Sequence, residues 1–85
     1  LAKAVKRCKM YYLKNTEMDE PRSIYKAKGM GRFYRGTFIG LDGKYQGMKV
    51  YTCKSLRYIK GLRERVHEYC EEWFDVYDEN GKVEI

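Results

Sequence analysis

Little in this sequence stiffens or staples the backbone. It holds a single proline, Pro21, so most of the chain is free to enter helices and strands. The three cysteines, Cys8, Cys53 and Cys70, are an odd number at wide spacing, with no Cys-x-x-Cys pair. That pattern excludes a disulfide scaffold and the usual zinc ligand spacings, and it fits reduced thiols in the cytoplasm. One histidine, His67, leaves little for histidine-based catalysis. No apolar run approaches the roughly 18 residues that a membrane helix needs. Lys3, Lys6, Arg7 and Lys9 interrupt the start of the chain, so no secretory leader is expected there. There is no repeat, low-complexity tract or Ser/Pro-rich linker, and no Gly-rich phosphate loop; Gly29-x-Gly31 alone does not make one.

What the chain has is charge and aromatic residues. Eighty-five residues are enough for one domain, spanning 1–85, with a thin core. The formal charge of +6 is unevenly spread. Residues 1–65 carry 17 Lys+Arg against 5 Asp+Glu, while residues 66–85 carry 1 against 7. A basic body with an acidic end attracts phosphates through one part and repels them through the other.

The local patterns predict an α+β fold, a small antiparallel sheet of three to four strands with one long amphipathic helix packed on one face. Residues 1–13 read either as a helix or as a strand, with the later tyrosines favouring a strand over about 5–13; 14–22 read as a polar connection and 23–28 as a short strand. Residues 32–41 and 44–53 read as two strands around Asp42-Gly43, a preferred type I′ hairpin dipeptide. That turn predicts Leu41 opposite Lys44. It also puts Phe33, Ile39, Leu41, Met48 and Val50 on the helix-facing side. Arg32, Tyr34, Phe38, Lys49 and Tyr51 then look outward. Ser55 is a good helix N-cap, and Leu56, Tyr58, Ile59, Leu62, Val66, Tyr69, Cys70, Trp73 and Phe74 form one apolar arc over about residues 55–73. Residues 75–85 form either an acidic terminal hairpin around Asn80-Gly81 or a frayed tail.

Three constellations bear on chemistry. Aromatic rings interleaved with cations suit stacking on bases and neutralising phosphates, although the same rings also suit a second core layer. Cations gather in the first half of the helix and carboxylates in the second, against the helix dipole, as an anion site would require. His67 and Cys70 are one helical turn apart, but Cys70 lies in the apolar arc and no third group orients the pair.

A hairpin leading into a helix through Thr52-Cys53-Lys54-Ser55-Leu56, with Tyr34-Arg35-Gly36 upstream, resembles two known layouts. These are the three-strand-plus-helix DNA-binding domains of plant transcription factors and the arm-binding domains of some tyrosine recombinases. The likeness covers about residues 23–72 and is one of layout. The chain lacks the sheet tryptophan and the alanine-rich helix of the plant domains. The resemblance implies nucleic-acid binding.

The expectation is therefore a small, basic, cytoplasmic nucleic-acid-binding protein of regulatory type, contacting DNA or RNA through Arg32, Tyr34, Lys49, Tyr51, Lys54, Arg57 and Lys60. It is not expected to be an enzyme, to need a cofactor or metal, or to contact a membrane. The alternative is a protein-interaction or inhibitor module that uses the aromatic sheet face or the acidic end.

Overall fold

The computed structural model describes residues 9–17, 19–27 and 31–85. In chain order the elements are β1 (Tyr12–Asn15), β2 (Arg22–Lys26), β3 (Phe33–Thr37), β4 (Lys44–Tyr45), β5 (Met48–Val50), α1 (Leu56–Cys70), β6 (Asp75–Asp78) and β7 (Gly81–Lys82). All strand pairs are antiparallel. The α+β class matches expectation, but the sheet has seven strands rather than three to four.

The larger sheet comes from short strands that the sequence pattern does not resolve. β2 is the centre. One of its edges pairs with all five residues of β3, from Arg22 opposite Thr37 to Lys26 opposite Phe33. Its other edge is shared. Ser23 and Arg22 pair with Lys14 and Asn15 of β1, while Tyr25 and Lys26 pair with Val50 and Lys49 of β5. The chain after β5 then reaches β1, where Tyr11 and Cys53 exchange both backbone hydrogen bonds. β1 and β2 thus splay into a fork, and residues 48–53 fill it. On the far edge of β1, Leu13 pairs with Val76 of β6, which leads on to β7.

Alternation along the strands gives the sheet two apolar faces. Leu13, Ile24 and Val76 meet Ile59, Leu62 and Val66 of α1, together with Phe74, and these form the main core. On the opposite face Tyr12, Tyr25, Met48 and Val50 form a second cluster, flanked by Tyr34, Phe38, Tyr45 and Tyr77. Tyr12 stacks on Phe38 at 5.8 Å and on Tyr77 at 5.7 Å. Gly36 is tied to this layer, since a Cβ there would lie 3.0 Å from the Tyr45 ring.

The expected central hairpin is corrected. Its tip is Gln46-Gly47, with Tyr45 opposite Met48. Both tip residues have positive φ, 53° and 81°, as a type I′ turn demands. Asp42-Gly43 instead closes a tight turn in which the Gly43 N–H donates to the Gly40 carbonyl at 3.2 Å. β3 takes β2 as its partner, so residues 38–43 become a connection and Ile39 and Leu41 are exposed. The shifted turn also exchanges faces. Met48 and Val50 join the second cluster, whereas Tyr51 turns to the helix side.

Ser55 caps α1 as expected, its hydroxyl accepting from the Tyr58 N–H at 3.0 Å. The helix ends three residues short of the predicted Trp73, at Cys70, because Glu71 adopts a left-handed conformation with φ 60° and returns its N–H to the His67 carbonyl. Phe74 leaves the helix and plugs the core, fully buried. The apolar arc is correspondingly narrower: Ile59, Leu62 and Val66 are buried, but Tyr58 and Tyr69 are exposed.

The acidic end forms a hairpin whose turn lies one residue earlier than Asn80-Gly81, which moves the partner of Asp78 from the expected Val83 to Gly81. Asp78 pairs with Gly81 across Glu79-Asn80, and the Asp78 carboxylate accepts the Asn80 N–H. Gly81, not Asn80, takes the positive φ. β1 begins later than the predicted strand, and the first eight residues of the chain lie outside the described ones.

Candidate nucleic-acid interface

The register of three strands places like charges side by side. Lys44 lies opposite Lys49, and Lys49 lies opposite Lys26. Directly paired residues in an antiparallel sheet project from the same face with Cβ atoms about 4.5–5.5 Å apart, and like charges there are destabilising. Lys26 in turn lies opposite Phe33. This row of three lysines and a phenylalanine crosses the sheet on the side that carries α1, since Phe33 packs against the main core.

An aromatic string links the row to the helix. Phe33 meets Tyr51 edge-on at 5.1 Å, and Tyr51 lies 6.3 Å from Tyr58 in the first turn of α1. Cations sit over these rings. The Lys26 ammonium is 5.2 Å from Phe33 and 5.8 Å from Tyr51, and the Arg65 guanidinium is 5.4 Å from Tyr58. Tyr51 is largely shielded from water, which pushes its phenol up to about 12, with Cys53 and Tyr58 adding to the rise. It is therefore a neutral hydroxyl near pH 7.

Beyond Tyr58 the helix carries Arg57 and Arg65 on either side of Gly61. Ser55, Arg57, Tyr58, Gly61 and Arg65 line an open groove of about 510 Å³. Lys54 and Lys60 are exposed nearby in the chain. The first turn of α1 contains no acidic residue.

A second set of cations is already engaged. Glu72, just past the helix, accepts from Asn15 at 2.7 Å and from Arg35 at 2.6 Å, with Arg22 at 4.0 Å. One carboxylate so fastens the end of the helix to β1, β2 and β3. Arg63 donates to the Phe74 carbonyl, and its guanidinium lies 4.5 Å from the Trp73 ring. His67 stacks flat on the same ring at 3.7 Å, with its Nδ1 buried and without a partner among the described residues. Cys70 donates to the Val66 carbonyl, away from any nucleophilic arrangement with His67. Lys9 and Lys82 pair with Asp78 and Asp75. Among the described residues, the row Lys26, Lys44 and Lys49 has no carboxylate within 4.0 Å, nor do Lys54, Arg57, Lys60 and Arg65.

Of the residues predicted from sequence, Lys49, Tyr51, Lys54 and Arg57 are gathered here. Tyr34 is not. It packs with the second cluster on the opposite face, because Tyr34 pairs with Tyr25 there. Arg32 is exposed ahead of β3. Sequence reasoning missed Lys26, Phe33, Lys44, Tyr58 and Arg65. The signal for Tyr58 and Arg65 was present in their spacing around Gly61, but Tyr58 was assigned to the buried arc. Lys26 and Lys44 became visible only once β5 was paired with β2 and β4.

Among the described residues no three His, Cys, Asp or Glu side chains gather as a metal site would require, and no helix is long and apolar enough to cross a membrane. The fold and surface define a small α+β domain with a cationic, aromatic patch running from sheet to helix. Set against protein-family models, curated proteins and solved structures, the chain matches none.

Proposed function

We propose that this protein binds nucleic acid through the surface that joins the Lys44–Lys49–Lys26 row to the Phe33–Tyr51–Tyr58 string and the first half of α1. The observation that carries this reading is the lysine row. Three lysines at directly facing positions, without carboxylate partners among the described residues, cost stability, and a run of phosphates offsets that cost. Tyr58, the exposed ring of the string, offers a π-face to a base. The acidic strand β6 and its hairpin partner β7 lie at the other end of the sheet order, away from β4 and β5, so they detract little from the attraction.

The test is a titration of labelled single-stranded and duplex oligonucleotides at two salt concentrations. Affinity should fall steeply with salt as counterions are released. Lys49→Ala should weaken binding on every sequence and lower the salt slope by about one unit. Arg22→Ala should leave the slope unchanged, because its guanidinium faces Glu72. If neither form binds below roughly 100 μM at low salt, the reading fails, given that even non-specific binding lies in the range of about 10⁻⁴–10⁻⁶ M.

The alternative, docking of a protein partner on the acidic end, has one observation in its favour. Tyr69 is 94% exposed beside Glu68 and near Trp73, itself 45% exposed. Such an exposed pair of aromatics suits a basic, apolar-tipped protein surface.

A further inference from the structure

Gly61 has no structural reason to be a glycine. It lies in the middle of α1, where glycine is the poorest helix former after proline. Its φ is not positive, and a Cβ built on it meets no atom of the described residues within 4 Å. Neither backbone conformation nor close packing therefore excludes a side chain. Its neighbours on the helix surface are residues three and four away, Arg57, Tyr58, Glu64 and Arg65. Three of these, Arg57, Tyr58 and Arg65, line the groove with it.

We infer that this groove is a subsite for one unpaired base, and hence that the domain prefers single-stranded nucleic acid to duplex. The inference rests on the nucleic-acid reading above and sharpens it. The bare backbone at Gly61 leaves a flat floor. Tyr58 stands on one side with the Arg65 guanidinium already over its ring. A base lying on that floor extends the Tyr58–Arg65 stack, since guanidinium and base are both planar and stack face to face. Arg57 and Arg65, one turn above and below, take the phosphates on either side of the base. A base paired within a duplex cannot enter such a groove without leaving its stack, at a cost of a few kcal/mol. Tyr51 connects this subsite to the lysine row, which fixes the direction in which the strand continues.

The experiment uses 12-residue oligonucleotides, DNA and RNA in separate arms, each carrying one 2-aminopurine, with the duplex of the DNA as a third arm. The fluorescence of 2-aminopurine changes when the base moves from its neighbours to a protein ring. Two variants are compared with the native chain. Gly61→Gln fills the floor with a better helix former, so its melting temperature should rise or hold. Tyr58→Ala removes the ring and leaves the Ser55 cap, which binds a backbone N–H. Both variants should bind single strands about tenfold to a hundredfold more weakly, lose the fluorescence change, and keep the native salt slope, because no cation is lost. Native affinity and fluorescence in Gly61→Gln, or a native preference for duplex, would overturn the subsite while salt-dependent binding through the lysine row still stood. Absence of binding to every oligonucleotide would overturn both. If only the RNA arm responds, the 2′-hydroxyl belongs to the recognition and the subsite stands.

Discussion

Leu62 is 2% exposed, in the middle of the buried line Ile59–Leu62–Val66 that α1 presses onto Leu13, Ile24 and Val76. Truncation there opens a cavity that a small core cannot collapse to fill. Leu62→Ala should therefore cost about 2–5 kcal/mol in denaturant unfolding. Tyr51 makes a different kind of contribution. Its phenol is raised from 10.0 to about 12 by burial, so folding favours the protonated form. The stability linked to it is fully present below about pH 10 and is lost as pH rises toward about 12. Tyr51→Phe should lose less stability than the native protein over that window. Tyr12 and Tyr25, also raised by burial, should keep some alkaline sensitivity in the variant. At this scale the sequence was legible wherever one residue answers to one local rule. Ser55 read as a cap and is one, and Leu62 read as core and is core. It was illegible for Tyr51, whose facing depends on a turn four residues away; Tyr34 faces away from the helix as expected, but Tyr51 does not share its face.

The elements show why. A two-residue hairpin turn determines which side chains share a face, and a shift in its position exchanges them. Asp42-Gly43 carries the better turn chemistry, yet Gln46-Gly47 forms the tip. β2 draws β3 into five paired residues, which leaves only Lys44–Tyr45 to pair with β5. Long-range pairing thus overrode the local preference, and no dipeptide rule contains that information. The helix was legible in its start and its buried face and not in its end, because a glutamate terminates it where glycine is the common choice. Glu71 holds φ 60° without the freedom that glycine has there, and its side chain makes no hydrogen bond or ion pair among the described residues. Glu71→Gly should therefore stabilise the protein by up to about 1 kcal/mol, read as an upward shift in the denaturation midpoint. A loss of stability would mean that the Glu71 side chain supports the turn in some other way.

For the molecule as a whole, composition and charge gave the class and the separation of a basic part from an acidic one. They did not give the count of strands, since two of the seven are two residues long. The candidate surface was half legible. Its helical part follows from spacing alone, whereas the lysine row exists only through the meeting of β4, β5 and β2. The fork between β1 and β2 has a consequence for the order in which this chain acquires structure. β1 sits between β2 and β6, and Leu13 pairs with Val76 across 63 positions of sequence. The β2–β3 and β4–β5 ribbons close over short spans and can form early, but the slot for β1 is complete only when residues 75–78 arrive. During synthesis, the β6 edge of β1 stays unpaired until residues 75–78 have emerged. A chain truncated after α1 would leave the β6 edge of β1 unpaired, and limited proteolysis should cut such a chain near β1 faster than the full one.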